Sequence, residues 1–336
     1  MIQYNKSLKD ENTFGVEAKA KIYYELTSLE EITQLTKLVN ENKRYLILGG
    51  GSNLLFCNDF NGIVIKNLLK GISKLEESDD YVFLSVNSGE VWDDFVKYCV
   101  ANKFYGVENL TAIPGTVGAA PVQNIGAYGV ELKDVFYSLE GYLIKEGKFI
   151  SLNKDECEFG YRTSVFKTKL KDNFIITKVN FILSKTPKFN LEYKSLKDSL
   201  IKFAEKELTL KIVSDKVRKI RNSKLPDYKI LGNAGSFFKN PEISEEQFSE
   251  LLKKYPDISY FRNDDKYKIS AGWLIEKCGF KGKRERNVGC YEKQALVIVN
   301  YGGATGQEIL SFAKKIIDEV QNNFNIRLEP EVNIIQ

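Results

Sequence analysis

The chain contains no histidine. That absence removes Ser-His-Asp and Cys-His machinery and every histidine-ligated metal site, and leaves proton chemistry to Ser, Tyr, Lys, Glu or Asp. Cysteine is sparse and scattered. Cys57, Cys99, Cys157, Cys278 and Cys290 are odd in number and form no C-x-x-C pair, which argues against a disulfide framework or a zinc site, so no metal is expected. No apolar run is long enough to span a bilayer, and the opening MIQYNKSLKDENTFG lacks the apolar core of a secretory signal; a soluble cytoplasmic protein is the expectation. Charge of one sign is also lacking: 49 Lys+Arg against 45 Asp+Glu leave +4, without the basic stripe of a nucleic-acid binder. At 336 residues the chain has room for two or three domains.

Glycine, by contrast, is concentrated. The stretch Ile113–Gly129, IPGTVGAAPVQNIGAYG, carries Gly115, Gly118, Gly126 and Gly129, punctuated by Pro114 and Pro121. Ordinary packing does not ask for such a run. Glycine lets backbone approach a ligand and aim N–H groups at an anionic pyrophosphate. Gln123, Asn124 and Tyr128 add donors and an aromatic face. The stretch reads as a clamp on a large planar, phosphorylated cofactor, although a glycine-rich loop without a ligand would look the same in isolation.

Along the chain, Ser28 with Glu31 reads as a capping box opening a helix over Thr27–Asn42, with Ile32, Leu35 and Val39 as its apolar stripe. A strand at Tyr45–Leu48 runs into Gly49-Gly50-Gly51-Ser52-Asn53. Neither G-x-G-x-x-G nor G-K-[ST] is present, and a strand at Ile63–Lys66 follows. The triple glycine is therefore a strand-to-strand turn, equally compatible with phosphate contact and with a bare turn. Trp92, Phe95, Val96, Cys99 and Val100 recur at helical spacing and read as core. Strands at Tyr81–Val86, Ser138–Leu143, Lys148–Leu152 and Phe174–Leu183 indicate a mixed α+β domain.

Phe159-Gly160-Tyr161-Arg162-Thr163-Ser164 sets an arginine beside a tyrosine in a glycine turn. Its guanidinium has the fork for a carboxylate, with a surface salt bridge as the plainer alternative. Tyr193 stands in a polar setting. A basic helix from Leu210 carries Lys216, Arg218, Lys219, Arg221 and Lys224, whose end has the charge to hold phosphate. The second glycine-rich stretch, Leu231–Pro241, exposes Ser236 between Gly235 and Phe237-Phe238. A capped helix follows from Ser244 (with Gln247), then a second helix over Ser270–Lys277 closed by Gly279, a strand at Ala295–Asn300, and a long helix capped by Thr305 with Glu308. A last strand at Arg327–Ile335 is expected to put Glu329 and Glu331 on one face.

Eight ordered motifs together resemble the UDP-N-acetylenolpyruvoylglucosamine reductases: N-T-F-G (Asn12–Gly15), G-G-G-S-N-L-L (Gly49–Leu55), the Ile113–Gly129 run, F-G-Y-R-T-S, K-L-P-D (Lys224–Asp227), G-N-A-G-S-F-F-K-N-P, A-G-W-L-I (Ala271–Ile275) and L-E-P-E-V (Leu328–Val332). The resemblance runs from about Asn12 to the C-terminus. The segment carrying Tyr193 matches the longer subclass, which places a tyrosine loop over the substrate. What the resemblance implies is an α+β fold: two FAD-binding subdomains of the vanillyl-alcohol-oxidase-like (PCMH-type) kind, at 1–68 and 69–208, and a substrate-binding domain at 209–326, with 327–336 returning near the active site.

The resemblance also implies NADPH-dependent reduction of an enolpyruvyl nucleotide sugar through non-covalent FAD, and nothing in the sequence demands more than a monomer. It assigns catalysis to Arg162, Ser236 and Glu331, with Ser236 as general acid. Substrate contacts fall to Tyr161, Tyr193, Lys224, Asn240 and Gln294. FAD contacts fall to Gly49, Gly50, Gly51, Ser52, Asn53, Pro114, Gly115, Thr116, Gly118, Ala119, Gln123, Asn124, Gly126, Ala127, Tyr128, Gly129 and Arg221. A flavin oxidase of the same fold, acting on a small alcohol or sugar, is the competing reading, though without histidine it would have no histidyl flavin attachment.

Overall fold

The computed structural model describes residues 1–42, 44–263 and 266–336. Contacts divide the chain into two compact units. One comprises Met1–Lys6, Ala20–Gly50 and Asn61–Ser223; the other comprises Ser7–Lys19, Gly51–Phe60 and Lys224–Gln336. The mixed helix and strand content is that of an α+β protein.

In the first unit, a four-stranded sheet has the order Ile2–Ser7, Lys19–Leu26, Phe60–Asn67, Tyr45–Leu48, the last two strands running parallel with Tyr45 opposite Ile63. Helix α1 (Ile32–Asn42) buries Ile32, Leu35 and Val39 against Tyr24, Leu26, Ile63 and Ile65. Its start differs from the expected capping box. Ser28 makes no cap bond to the helix backbone, and its hydroxyl pairs with the Glu30 carboxylate. Glu31 instead accepts from the N–H and hydroxyl of Thr27, each at 3.1 Å.

A five-stranded antiparallel sheet follows, ordered Lys148–Asn153, Phe136–Leu143, Phe174–Ser184, Tyr81–Asn87, Ile72–Glu77. Phe174–Ser184 is central, and most of its positions are buried, the polar Thr177 and Asn180 included. Helix α2 (Trp92–Ala101) lays Trp92, Phe95, Val96 and Cys99 on this sheet, with the Phe95 and Phe181 rings 4.6 Å apart. Burying aromatics of this size contributes about 2–3 kcal/mol each. Helices α3 (Lys194–Leu200) and α4 (Leu210–Lys224) close on each other through Leu196, Leu200, Val213 and Val217.

The second unit holds a four-stranded sheet, ordered Gly232–Ser236, Gln294–Asn300, Val288–Tyr291, Arg284–Glu285, and a three-stranded sheet formed by Glu242–Ile243, Lys266–Ile269 and Tyr260–Asn263. Helix α5 (Glu245–Lys254) opens with the Ser244–Gln247 capping box. Helix α6 (Ala271–Lys277) is capped by Ser270. Helix α7 (Gly306–Phe324) opens with the Thr305–Glu308 box and buries Ile309, Ala313, Ile316, Val320 and Phe324. The expected strand over Arg327–Ile335 is reduced to Asn333–Ile335, parallel to Leu54–Phe56, plus an isolated bridge at Pro330. Inward–outward alternation persists at Leu328 and Glu329, but proline has no N–H to continue a ladder.

Candidate active site

The first glycine-rich stretch is held from behind by the chain leading into α2. Trp92 N–H donates to Gly115 O (3.1 Å), Val117 N–H to Glu90 O (2.8 Å) and Gly118 N–H to Ser88 O (2.8 Å). The N–H groups of Val117 and Gly118 are thus committed to the protein. Residues Val117–Gln123 wind as a 3-10 turn ending at Asn124, whose φ is 44°. Asn124 is fully buried and its amide braces neighbouring chain: Nδ2 donates to Glu131 Oε2 (2.9 Å) and Gly160 O (3.2 Å), and Oδ1 accepts from Lys133 N–H (3.0 Å). Gly126–Ala127 and Val130–Glu131 then form a hairpin whose turn residues, Tyr128 and Gly129, both have positive φ (49° and 83°), the signature of a type I′ turn.

Gly49 and Gly50 lie against this loop. A Cβ on Gly50 would fall 2.7 Å from Gly115 Cα, and one on Gly49 would fall 2.6 Å from Thr116 Oγ1. Beside them an open cleft is lined by Gly49, Thr116, Gly118 and Ala119 together with apolar Ile47, Phe166 and Phe174. Bare backbone beside an apolar wall suits the pyrophosphate and the flat ring of a dinucleotide. The residues present fit FAD.

Arg162 sits in a tight turn closed by reciprocal Gly160–Thr163 hydrogen bonds (3.1 and 3.3 Å), and its φ of 55° is left-handed. Its Nη2 donates to Gly126 O at 2.9 Å, and the guanidinium lies 5.7 Å from the Tyr161 ring centroid. Arg221, on α4, has a buried Nε without a hydrogen-bond partner. Burial pulls its pKa below the ordinary value; Tyr128 opposes that, while the Arg162 charge adds to it. Burial likewise raises the Tyr128 phenol, against the pull of Arg221. The ring of Tyr128 meets that of Tyr193, the residue capping α3, edge-on at 5.2 Å. Two cations and two phenols are therefore gathered on one side of the glycine-rich loop.

In the second unit, Ser236 ends the strand Gly232–Ser236, opposite Val297. The ladder slips between Asn233 and Ser236, where Gly235 takes φ 68° and donates its N–H to Asn233 Oδ1 (2.9 Å). This is a bulge of the kind that re-aims a side chain. Phe237 and Phe238 are buried behind it. The N–H of Glu331 donates to Phe237 O at 2.8 Å, and that of Lys239 to Glu329 O at 2.9 Å, flanking the Phe238–Pro330 bridge. Phe237 and Glu331 thus face each other across one rung, one residue along from Ser236. Asn53 Nδ2 reaches Glu331 O at 3.3 Å, and Gly51 O accepts from Thr13 N–H at 3.1 Å.

Asn240 Oδ1 accepts from the N–H of Ala271, the first residue of α6, at 3.0 Å. Gln294 begins the strand opposite, with its Oε1 facing Gly272, while Lys224 is exposed at the end of α4. Asn109, Asn190 and Asp93 escaped sequence reasoning, and Arg218 stood out only as one cation of a basic helix. Asn109, fully buried, donates from Nδ2 to both Tyr128 O (2.7 Å) and Asn190 O (2.8 Å), and Asn190 Nδ2 returns to Gly129 O (2.9 Å). Asp93 and Arg218 form a bidentate pair at 2.9 and 2.8 Å. Burial opposes ionisation of Asp93, but Arg218 and the Ala112 N–H outweigh it and hold its carboxyl below the usual range. None of the four lies in a motif.

These features define a flavoprotein that carries FAD on an α+β scaffold. A family model described as "FAD binding domain" matches residues 20–153, and one described as "UDP-N-acetylenolpyruvoylglucosamine reductase, C-terminal domain" matches residues 226–335. The UDP-N-acetylenolpyruvoylglucosamine reductase of Flavobacterium johnsoniae is 48% identical over 99% of both chains. The chain belongs to the UDP-N-acetylenolpyruvoylglucosamine reductase family. In fold it is similar to the crystal structure of the Thermus caldophilus enzyme of that name (TM-score 0.68, 23% identity, 100% of this chain and 98% of that one). It is also similar in fold to 6-hydroxy-D-nicotine oxidase from Arthrobacter nicotinovorans (TM-score 0.52, 14% identity, 96% and 85%). Among the described residues no helix is long and apolar enough to cross a membrane.

Proposed function

We propose that this chain reduces the enolpyruvyl ether of UDP-N-acetylglucosamine to UDP-N-acetylmuramate, with NADPH as reductant. It is an FAD-dependent oxidoreductase of peptidoglycan precursor synthesis. FAD, when bound, carries hydride from NADPH to the substrate. Residues 1–208 hold the cofactor in two subdomains, 209–326 hold the substrate, and 327–336 bring Glu331. Gly49 to Asn53, the Pro114–Gly129 loop and Arg221 hold FAD. Tyr161, Tyr193, Lys224, Asn240 and Gln294 hold the nucleotide sugar. The protein works as a monomer in the cytoplasm; its five free thiols, four of them buried, suit a reducing compartment.

Reducing the ether leaves negative charge beside the substrate carboxylate. Arg162 presents a cationic planar fork, so it binds the carboxylate and stabilises that charge. Ser236 Oγ delivers a proton to the carbon bearing the ether oxygen. An alcohol is a weak acid, but a carbanion-like centre is a strong base, so the transfer runs downhill. Glu331 stabilises the same charge by orienting its neighbours. The observation that supports this reading most directly is the bulge at Gly235, which takes Ser236 out of the regular ladder in a chain without histidine.

The test is a visible spectrum followed by anaerobic bleaching with NADPH. Reoxidation by the enolpyruvyl nucleotide sugar supports the reductase. Rapid reoxidation by air but not by the sugar would favour the oxidase, and a preparation that takes up no flavin would end both.

A further inference from the structure

We propose that Asp93 is a positioning residue for the cofactor cleft, one carboxylate that fixes both the entrance of the glycine-rich loop and the helix carrying Arg221. Asp93 is the second residue of α2. Its oxygens accept from Arg218 Nη1 and Nη2 (2.9 and 2.8 Å) and from the Ala112 N–H (2.7 Å), with Lys97 Nζ at 3.2 Å. Ala112 adopts φ 60°, a left-handed conformation in a residue that is not glycine, just before Ile113–Pro114–Gly115. That strain persists only when surrounding bonds hold it. Arg218 lies one turn before Arg221 on the same helix, so fixing one sets the rotation of the other.

A second tie runs alongside, since Thr111 Oγ1 and Ser214 Oγ meet at 2.8 Å. Exposed ion pairs do little for a fold. This pair is different because it is bidentate, with the Asp93 side chain only 18% exposed, and it joins the segment leading into the glycine-rich loop to the helix that carries Arg221. Asp93 itself is not among the residues lining the cleft. It acts through the loop and through Arg221, so the proposal rests on the reading that these hold FAD.

The test strips flavin from the holoenzyme and titrates the apoprotein with FAD, reading fluorescence quenching and the absorption spectrum of the bound flavin. Asn at position 93 keeps an oxygen for Ala112 but loses the charge and the fork. Asp93→Asn is expected to weaken FAD binding by about tenfold to a hundredfold and to shift the bound spectrum. Arg218→Gln should lose a similar factor, and the double variant should lose no more than the worse single one, because both cut one link. A lowered melting temperature with unchanged FAD affinity and spectrum would overturn the proposal, as would losses that multiply in the double variant. If Asp93→Asn does not fold, Arg218→Gln decides by the same two readouts. Wild-type apoprotein that takes up no FAD, or an Arg221→Gln variant that binds it normally, would overturn the cofactor reading. Loss in Arg221→Gln beside normal binding in Asp93→Asn would overturn the positioning role alone.

Discussion

Tyr128 and Tyr193 meet edge-on, ring centroids 5.2 Å apart at 78°, although the residues between them belong to other strands and turns. The contact is set by backbone. The Asn109 amide binds the chain at both Tyr128 and Asn190, and the Asn190 amide binds back to Gly129. The tyrosine proposed to close on the nucleotide sugar is thus fastened to the loop proposed to hold FAD. Asn190→Ala is expected to raise KM for the nucleotide sugar about tenfold, the cost of roughly one positioned hydrogen bond, with KM for NADPH unchanged. Steady-state kinetics with each substrate varied in turn checks this. Equal rises in both constants would mean that the clasp only supports the fold.

Ser236 is the sole proton donor in the proposed chemistry, so its removal should separate binding from turnover. Ser236→Ala is expected to bind the nucleotide sugar and to be bleached by NADPH at the wild-type rate, while turnover falls by about a hundredfold or more. Stopped-flow measurement of the two half-reactions makes the comparison. Gly235→Ala should show a milder form of the same defect. Nothing lies within 4 Å of its added methyl group, and only the φ of 68° resists it, which costs about 1 kcal/mol. Unchanged turnover in Ser236→Ala would remove the serine from the mechanism.

The thiols give a check by pH. Burial first, then Glu319, raise Cys278 to about 11, with Asn323 opposing; burial lifts Cys157 and Cys290 to about 12. A thiol reacts as its thiolate. Alkylation of native protein by iodoacetamide should therefore begin at Cys278, the one cysteine that is not fully buried, and its rate should rise about tenfold per pH unit beyond pH 9, where an ordinary thiol levels off. Peptide mapping after timed quenching reads the site. A plateau near pH 9 would show that Cys278 is freely solvated.

Local signals were legible and paired ones were not. The Ser244–Gln247 and Thr305–Glu308 boxes close within one turn of helix, so spacing alone revealed them. The Ser28 box failed because Thr27 stood next to it with the same chemistry and nothing local chose between them. The ordered motifs disclosed the family, but the bulge at Gly235 depends on the partner strand Gln294–Asn300. The anchoring of Val117 and Gly118 by residues 88–90 likewise depends on contacts that spacing does not encode. Arg327–Ile335 reads as one strand, yet only Asn333–Ile335 pairs as a strand, with a lone bridge at Pro330 before it. Asn109 and Asp93 are ordinary polar residues until the fold gives them partners.

The two glycines facing the cofactor loop should respond differently to the same substitution. A methyl group on Gly49 meets Thr116 Oγ1, a side-chain atom, whereas one on Gly50 meets Gly115 Cα, which is backbone. Gly115 cannot retreat, because its carbonyl holds Trp92 N–H and Thr116 bridges Val91. Gly50→Ala is therefore expected to destabilise the apoprotein by about 1–3 kcal/mol, the usual cost of overpacking. Gly49→Ala should destabilise comparably alone but recover much of the loss when combined with Thr116→Ala, which removes the obstructing oxygen. Ala119 Cβ, at 3.1 Å, keeps that recovery incomplete. No side-chain substitution at 116 should rescue Gly50→Ala. Thermal unfolding of the four apoproteins decides it: if Thr116→Ala relieves both glycine variants alike, the loop is yielding as a whole and the backbone at Gly115 is not fixed.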